Sequence, residues 1–342
     1  MATVLDAQWG IAPQADYTTQ LTPTTVNGRF YEVQPGDGID YRPNTVQDAG
    51  LRPGMVGPRK ARRVRPNGDY GASFNHTVLS RGFGMLINFL CGGSPASTLV
   101  GGTTYQVNHT LGGAFKPFTG QLGVPRIQTD GSTIVDPFTL IGCVIPSFGF
   151  SMDNADYLKL KYDVDARDMA TATALATYGA PAGTQNMFTF AGATLYGGTY
   201  TAPTTTALPS GATALANITN FNVDVARNAD VGDYRAGNAG KKNIPIPGLA
   251  SATGTLGIVY SDQVYRDGYL ADTDFTVVAK FEAGALSTGL ETVSIALANV
   301  RLEGELPKPS GDTTKASCNF TALENDTNPL LQIVQRTADS AL

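Results

Sequence analysis

Residues 158–165 read Leu-Lys-Leu-Lys-Tyr-Asp-Val-Asp, an unbroken alternation that puts Leu158, Leu160, Tyr162 and Val164 in one set and Lys159, Lys161, Asp163 and Asp165 in the other. Only an extended strand separates these sets, because successive strand side chains point to opposite faces. The pattern recurs. Phe221, Val223 and Val225 alternate with Asn222, Asp224 and Ala226, and Phe275, Val277, Ala279 and Phe281 alternate with Thr276, Val278, Lys280 and Glu282. Such a chain builds antiparallel sheet with one dry and one wet face. Its 39 glycines and 20 prolines in 342 residues argue the same way, since neither residue suits a helix interior. A mainly β fold rich in turns is expected.

Further strands are expected over 70–79, 105–111, 138–145, 148–152, 253–261, 292–306 and 315–323. The apolar phase of 292–306 shifts near Ala298-Asn299, as a bulge would cause. One helix stands out. Phe83, Leu86, Ile87 and Leu90 recur at helical spacing, Ser80 stands where an N-cap would, and Gly92-Gly93 ends the run. This apolar stripe reads as the core face of a short flanking helix. A second short helix is expected at 263–270, capped by Asp262 and weakened by Gly268.

The elements come twice in one order: strand, helix, strand, strand, strand. The first series begins at residue 71 and the second at residue 254, which points to a tandem duplication. The expected layout is an N-terminal arm and extended loop at 1–58, a first β domain at 59–168, an Ala/Thr/Gly-rich linker at 169–184, a second β domain at 185–327, and a C-terminal arm at 328–342. Residues 197–214 read as a loop.

The N-terminal segment lacks periodicity but holds Trp9, Tyr17, Phe30 and Tyr31, too many aromatics for a free tail. It reads as an arm that orders against a neighbour. Trp9, Phe30, Tyr31, Leu330 and Leu331 are the apolar candidates for inter-subunit contact. Arg59, Lys60, Arg62, Arg63 and Arg65 form a basic run, either a solvated strand edge or a charged contact to an acidic neighbour or to nucleic acid. Charged residues are only 15% of the chain, which suits either burial against other subunits, because interface cores are depleted in charge, or a compact Gly/Thr-rich sandwich. A net charge of −5 disfavours a nucleic-acid clamp. No apolar run approaches the ~18 residues of a membrane helix, and residues 1–6 lack the basic and apolar regions of a secretory signal. Cys91, Cys143 and Cys318 read as reduced core residues.

No pattern points to catalysis, a cofactor or a metal. The two histidines, His76 and His109, both sit in strand segments, and no nucleophile elbow or phosphate-binding loop occurs. Asp163, Asp165 and Asp168 faintly imitate a calcium loop without its glycine or closing Glu, and read as a wet strand end.

Several pieces in order resemble phage tail tube proteins. They are Gln8-Trp9-Gly10-Ile11-Ala12-Pro13, Arg29-Phe30-Tyr31-Glu32-Val33, Ala49-Gly50-Leu51-Arg52-Pro53-Gly54, Gly68-Asp69-Tyr70-Gly71, the helix through Gly92-Gly93, Tyr105-Gln106-Val107-Asn108-His109-Thr110, and Gly142-Cys143-Val144-Ile145-Pro146-Ser147-Phe148. Each is weak alone; their order is specific. The helix departs from the family's Leu-Gly-x-Leu-Leu run, and the second half carries fewer pieces. The resemblance implies a tail-tube-type β-sandwich or barrel whose sheets join those of neighbours. Homohexameric rings, or homotrimeric rings with pseudo-sixfold symmetry, would stack into the tail of a siphovirus-type phage. It also implies contacts with the tape measure, tail terminator and distal tail proteins, transient passage of double-stranded DNA, and no membrane partner. The competing readings are another tube or capsid-decorating component and an extracellular adhesive β-sandwich.

Overall fold

The computed structural model describes residues 6–50, 52–215, 217–261, 263–304, 306 and 315–342. Among the described residues eighteen strands and two short α-helices follow one another. The first half holds β1 (Gln8–Pro13), β2 (Arg29–Tyr31), β3 (Gly38–Gln47), β4 (Arg63–Thr77), α1 (Gly84–Cys91), β5 (Ser97–Gly101), β6 (Thr104–Thr110), β7 (Phe118–Ile127), β8 (Thr133–Asp153), β9 (Lys159–Ala166) and β10 (Asp168–Ala170). The second holds β11 (Ala193–Thr201), β12 (Ser210–Ala214), β13 (Ile218–Ala226), β14 (Ser251–Val259), α2 (Val264–Ala271), β15 (Phe275–Ala285), β16 (Leu290–Gly304), β17 (Lys315–Leu323) and β18 (Gln332–Thr337). Every strand pairing among the described residues is antiparallel, so the fold is mainly β as expected.

The pairing scheme of the first half recurs in the second. β1 pairs β2 and β7, as β11 pairs β12 and β15. β3 pairs β4 and β4 pairs β9, as β13 pairs β14 and β14 pairs β17. β8 lies between β7 on one side and β9 and β10 on the other, as β16 lies between β15 and the pair β17 and β18. The β5–β6 hairpin has no counterpart in the second half. Two ladders join the halves, β13 on β8 and β18 on β6.

Alternation sets the core. Leu158, Leu160, Tyr162 and Val164 are all buried while Lys161 is exposed, and burying each large apolar side chain contributes about 1.5–3 kcal/mol. On β15, Val278 is buried together with Val277 and Ala279, so this strand is covered on both faces. Phe275 lies opposite Val300 and Val277 opposite Leu297, which leaves an extra residue on β16 at the expected bulge. β8 runs through the interruption at Pro146 as one strand, with its register shifting between Val144 and Ser147; two strands had been expected there.

Helix α1 starts at Gly84, later than the Ser80 cap implies. The Ser80 hydroxyl instead accepts the Asn186 amide at 3.0 Å. Gly92 ends α1 at φ 73°, and a Cβ there would lie 2.2 Å from the Ala114 carbonyl, so only glycine fits. The expected Asp262 cap lies outside the described residues. Residues 197–214, expected as a loop, carry the β11–β12 hairpin.

Candidate assembly surfaces

The β3–β4 hairpin is exposed along β3 and the first part of β4. Its tip is closed by Asp48 accepting from Arg62, by Gln47 Nε2 donating to the carbonyls of Asp48 (3.2 Å) and Arg59 (3.1 Å), and by a 3-10 turn at Lys60–Arg62. Arg59 is partly exposed, and Lys60, Arg62, Arg63 and Arg65 are exposed. The hairpin also exposes the apolar Tyr41, Val46, Met55, Val56 and Val64. Among the described residues β3 pairs only with β4, so its outer edge is unfilled. Pro43 lies opposite Gly68. Lacking an N–H, it has to face away from β4, which directs the amides and carbonyls of Ile39 and Tyr41 outward as well.

The corresponding hairpin of the second half, β13–β14, is used within the chain. Its outer strand lies along β8 from Asn220 opposite Asp153 to Ala226 opposite Ser147. Arg227, 1% exposed, anchors the end of that ladder. Its amide donates to the Pro146 carbonyl at 2.8 Å, and its Nη2 donates to the carbonyls of Gly112 (2.5 Å) and Ala114 (3.0 Å). The guanidinium lies 4.1 Å from the Phe115 ring centroid. The hairpin's tip then reaches the first half. Tyr234 donates its hydroxyl to the Gly68 carbonyl at 2.9 Å, Arg167 Nε donates to the Lys242 carbonyl at 3.2 Å, and the Lys242 ammonium lies between Asp69 and Asp165. Burial pushes the Asp165 carboxyl up to about 6 despite the lysine. Burial also works against the Lys242 charge, but the two carboxylates outweigh it and hold the ammonium above the ordinary lysine value.

The apolar contact candidates sit elsewhere than expected. Trp9 is 0% exposed, stacked on Phe74 at 4.1 Å, and donates its indole N–H to the Tyr162 hydroxyl at 3.0 Å. Phe30 packs on Tyr178, and Tyr31 packs on Phe83 while donating to the Gly82 carbonyl at 2.9 Å. Leu330 and Leu331 are buried in the same core. All five are covered by their own chain, so the expectation that they meet a neighbouring subunit gives way to an intrachain role. The physical reason is that β1, β2 and β18 lie within the ladders. Phe83, Leu86, Ile87 and Leu90 of the flanking helix are likewise buried. Of the candidates, the basic run alone is left at the surface.

Of Asp163, Asp165 and Asp168, expected as a wet strand end, Asp163 and Asp168 are half-buried and Asp165 is buried. Asp163 accepts from Ser73 (2.6 Å) and Ser147 (2.9 Å), and Asp165 is paired with Lys242. No signal in the sequence singles out Lys242 or Arg227, because their partners lie far away along the chain. His76, 3% exposed, meets the Tyr162 hydroxyl at 2.9 Å, and His109 is 0% exposed. His109 has no exposed surface, while His76 lines a pocket beside Tyr31, Phe83 and Tyr178. Among the described residues no cluster of His, Cys, Asp and Glu could hold a metal, and no helix is long and apolar enough to cross a membrane.

The family model described as phage tail tube protein matches residues 5–322. No curated protein matches the chain.

Proposed function

The chain belongs to the phage tail tube protein family, and from that premise we propose that its copies close into rings through their sheet edges and that the rings stack into the hollow tail tube of a long-tailed, non-contractile phage. The family is structural rather than enzymatic, and its place is the virion tail. The tube is the conduit through which genome DNA leaves for the host.

The match over 5–322 carries this reading. The repeated pairing scheme supports a chain of two tube-type units, the first from β1 to β10 and the second from β11 to β18, joined across the linker expected at 169–184. Three chains then supply six units, which favours a trimeric, pseudo-sixfold ring over a hexameric one. A head-to-tail contact that closes gives a ring, while stacking of rings is open-ended and gives a tube. A charge of −5 per chain suits a conduit that DNA slides through without sticking. The tape measure protein would fill the tube before DNA does, terminator and distal tail proteins would bound its ends, and assembly would take place in the host cytoplasm.

Electron microscopy of the purified full-length chain tests this. Hollow tubes with a stacked-ring repeat, their cross-sections averaging to threefold symmetry with six similar lobes, are the expected result. A chain that stays monomeric at every concentration up to the solubility limit would refute the proposal.

A further inference from the structure

Among the described residues, the outer edge of β3 and the end of β16 past β15 hold corresponding places in the repeated scheme and both lack a partner strand, and we infer that they are each other's partners: the outer edge of β3 in one copy pairs antiparallel with β16 at Glu303 and Gly304 in the next copy, with Arg42 opposite Glu303. The inference rests on the ring reading above and names the strands that close the ring.

The ladder already present inside the chain is the template. On β8, β7 ends where Phe118 lies opposite Cys143, and beyond that point β13 takes over the same side. On β16, β15 ends where Phe275 lies opposite Val300. Beyond it, Arg301–Gly304 has β17 on one side and, among the described residues, no strand on the other. The corresponding strand of the other hairpin, β3, has its own outer edge unfilled. One donor edge and one acceptor edge of matching type on a single chain make a heterologous, head-to-tail contact, the kind that generates a ring when its rotation closes.

The register follows from partners shared by the two halves. Thr77 opposite Lys159 corresponds to Val259 opposite Lys315, which aligns Asp69 with Ser251 and Asp163 with Asn319. Arg42 lies opposite Asp69 as Ala226 lies opposite Ser251, and Ser147 lies opposite Asp163 as Glu303 lies opposite Asn319. The internal pair of Ala226 with Ser147 therefore becomes Arg42 with Glu303 between copies, an opposite-charge cross-strand pair. Both residues are exposed in the single chain. The outward amides of Ile39 and Tyr41 have the parity this ladder needs. Pro43 stands where Arg227 donates to Pro146, so the ladder ends there.

Charge agrees beyond the ladder. The tip of β13–β14 settles on Asp69 and Asp165. The matching positions for the tip of β3–β4 are Ser251 and Thr321 of the neighbour, after which the chain turns through the exposed Glu324 and Asp326. The basic run is carried to an acidic turn.

Disulfide trapping in the full-length chain tests the register, with Cys318→Ser removing the partly exposed native thiol. Arg42 and Glu303 would form a non-hydrogen-bonded pair with Cα atoms about 4.5 Å apart, within disulfide reach. Tubes of the Arg42→Cys, Glu303→Cys variant, oxidised with copper phenanthroline, are expected to lose most of their monomer band to covalent dimers and closed rings on a non-reducing gel. The Tyr41→Cys, Glu303→Cys control is one residue out of phase and should stay monomeric. Should the first variant not assemble, hydrogen exchange on unmodified protein decides: the Tyr41 amide, opposite Gly304 in this register, should exchange at least tenfold more slowly in tubes than in free chains. Tubes that leave the first variant uncrosslinked, cross-link the control equally, or leave that amide unprotected would overturn the strand assignment and spare the ring reading. An unmodified chain that never assembles overturns the ring reading, and this inference with it.

Discussion

Replacing Trp9 separates a core role from a docking role. The side chain is fully buried, its ring stacks on Phe74 at 4.1 Å, and its outer edge covers Gly120, where a Cβ would lie 2.1 Å from the indole. Trp9→Ala removes the whole indole from a packed site whose walls are strands held by ladders on both sides, so collapse into the void is limited. The expected loss is about 3–5 kcal/mol. Trp9→Phe retains much of the stack. It forfeits the hydrogen bond to Tyr162, whose hydroxyl keeps His76 at 2.9 Å, so no buried polar group is orphaned. That smaller loss is roughly 1–2 kcal/mol. Urea unfolding of unassembled chain, followed by circular dichroism, measures both. For the same reason, deleting residues 1–27 removes β1 from between β2 and β7 and should destabilise the folded chain rather than leave it intact but unable to polymerise. If Trp9→Ala unfolded within about 0.5 kcal/mol of the parent while tube formation was lost, the core assignment would be wrong and the residue would belong to a subunit contact.

Lys242→Met leaves Asp165 buried without its countercharge and should cost roughly 3–5 kcal/mol. The loss should shrink between pH 8 and pH 5 as Asp165 protonates, and adding Asp165→Asn should restore most of the thermal midpoint; equal losses at both pH values would contradict the pairing. Burial holds His76 down to about 4 and His109 down to about 3, so the unfolded chain binds more protons below its ordinary histidine value. Their contribution is complete above about pH 6.5 and falls as pH drops, by about 1.4 kcal/mol per pH unit for each histidine. Asp165 runs the other way, because its raised carboxyl favours the fold as it protonates on going down through about 6. Urea midpoints at pH 7, 6 and 5 should therefore fall in the parent and fall much less in a His76→Gln, His109→Gln variant; parallel slopes would contradict this.

Legibility in the sequence followed one condition, namely whether a strand had one wet face. β9, β13 and β17 do, and their limits were read to within a few residues. The bulge near Ala298-Asn299 was readable because a bulge shifts the apolar phase. β1 defeats the same reading, since Gln8 to Ala12 are buried on both faces and no alternation is left to count. β11 and β12 fail for the opposite reason. β11 is partly buried and β12 mostly exposed, both are rich in Thr and Gly, and they are held in place by β11's ladder to β15 and β12's to β11 rather than by any pattern of their own. The interruption at Pro146 looked like a strand end because a ladder's ability to continue past a bulge depends on its neighbours β9 and β13. Of the surface features, the basic run was legible because charge declares itself locally. The Lys242 cluster was not, because Asp69 on β4 and Asp165 on β9 lie far from it along the chain.

The repeated scheme also accounts for where the buried charges are and where they are not. Inside the chain, the ladder of β13 on β8 is fastened twice beyond its Ala226–Ser147 end, by Arg227 among the carbonyls of Gly112 and Ala114 and by Lys242 between two carboxylates. Hydrogen bonds to a charged group contribute about 1.5–3 kcal/mol each, so that seam forms once and stays formed. On the strand pairing inferred between copies, Pro43 replaces Arg227 and the basic tip meets exposed rather than buried acids. A seam with fewer buried anchors is weaker per contact and sensitive to salt. That suits a junction which has to remain open while the chain folds and close only when a ring is being laid down. The chain thus holds its strongest form of the contact within itself, where concentration is irrelevant, and leaves to assembly the version that stacking of many rings can reinforce.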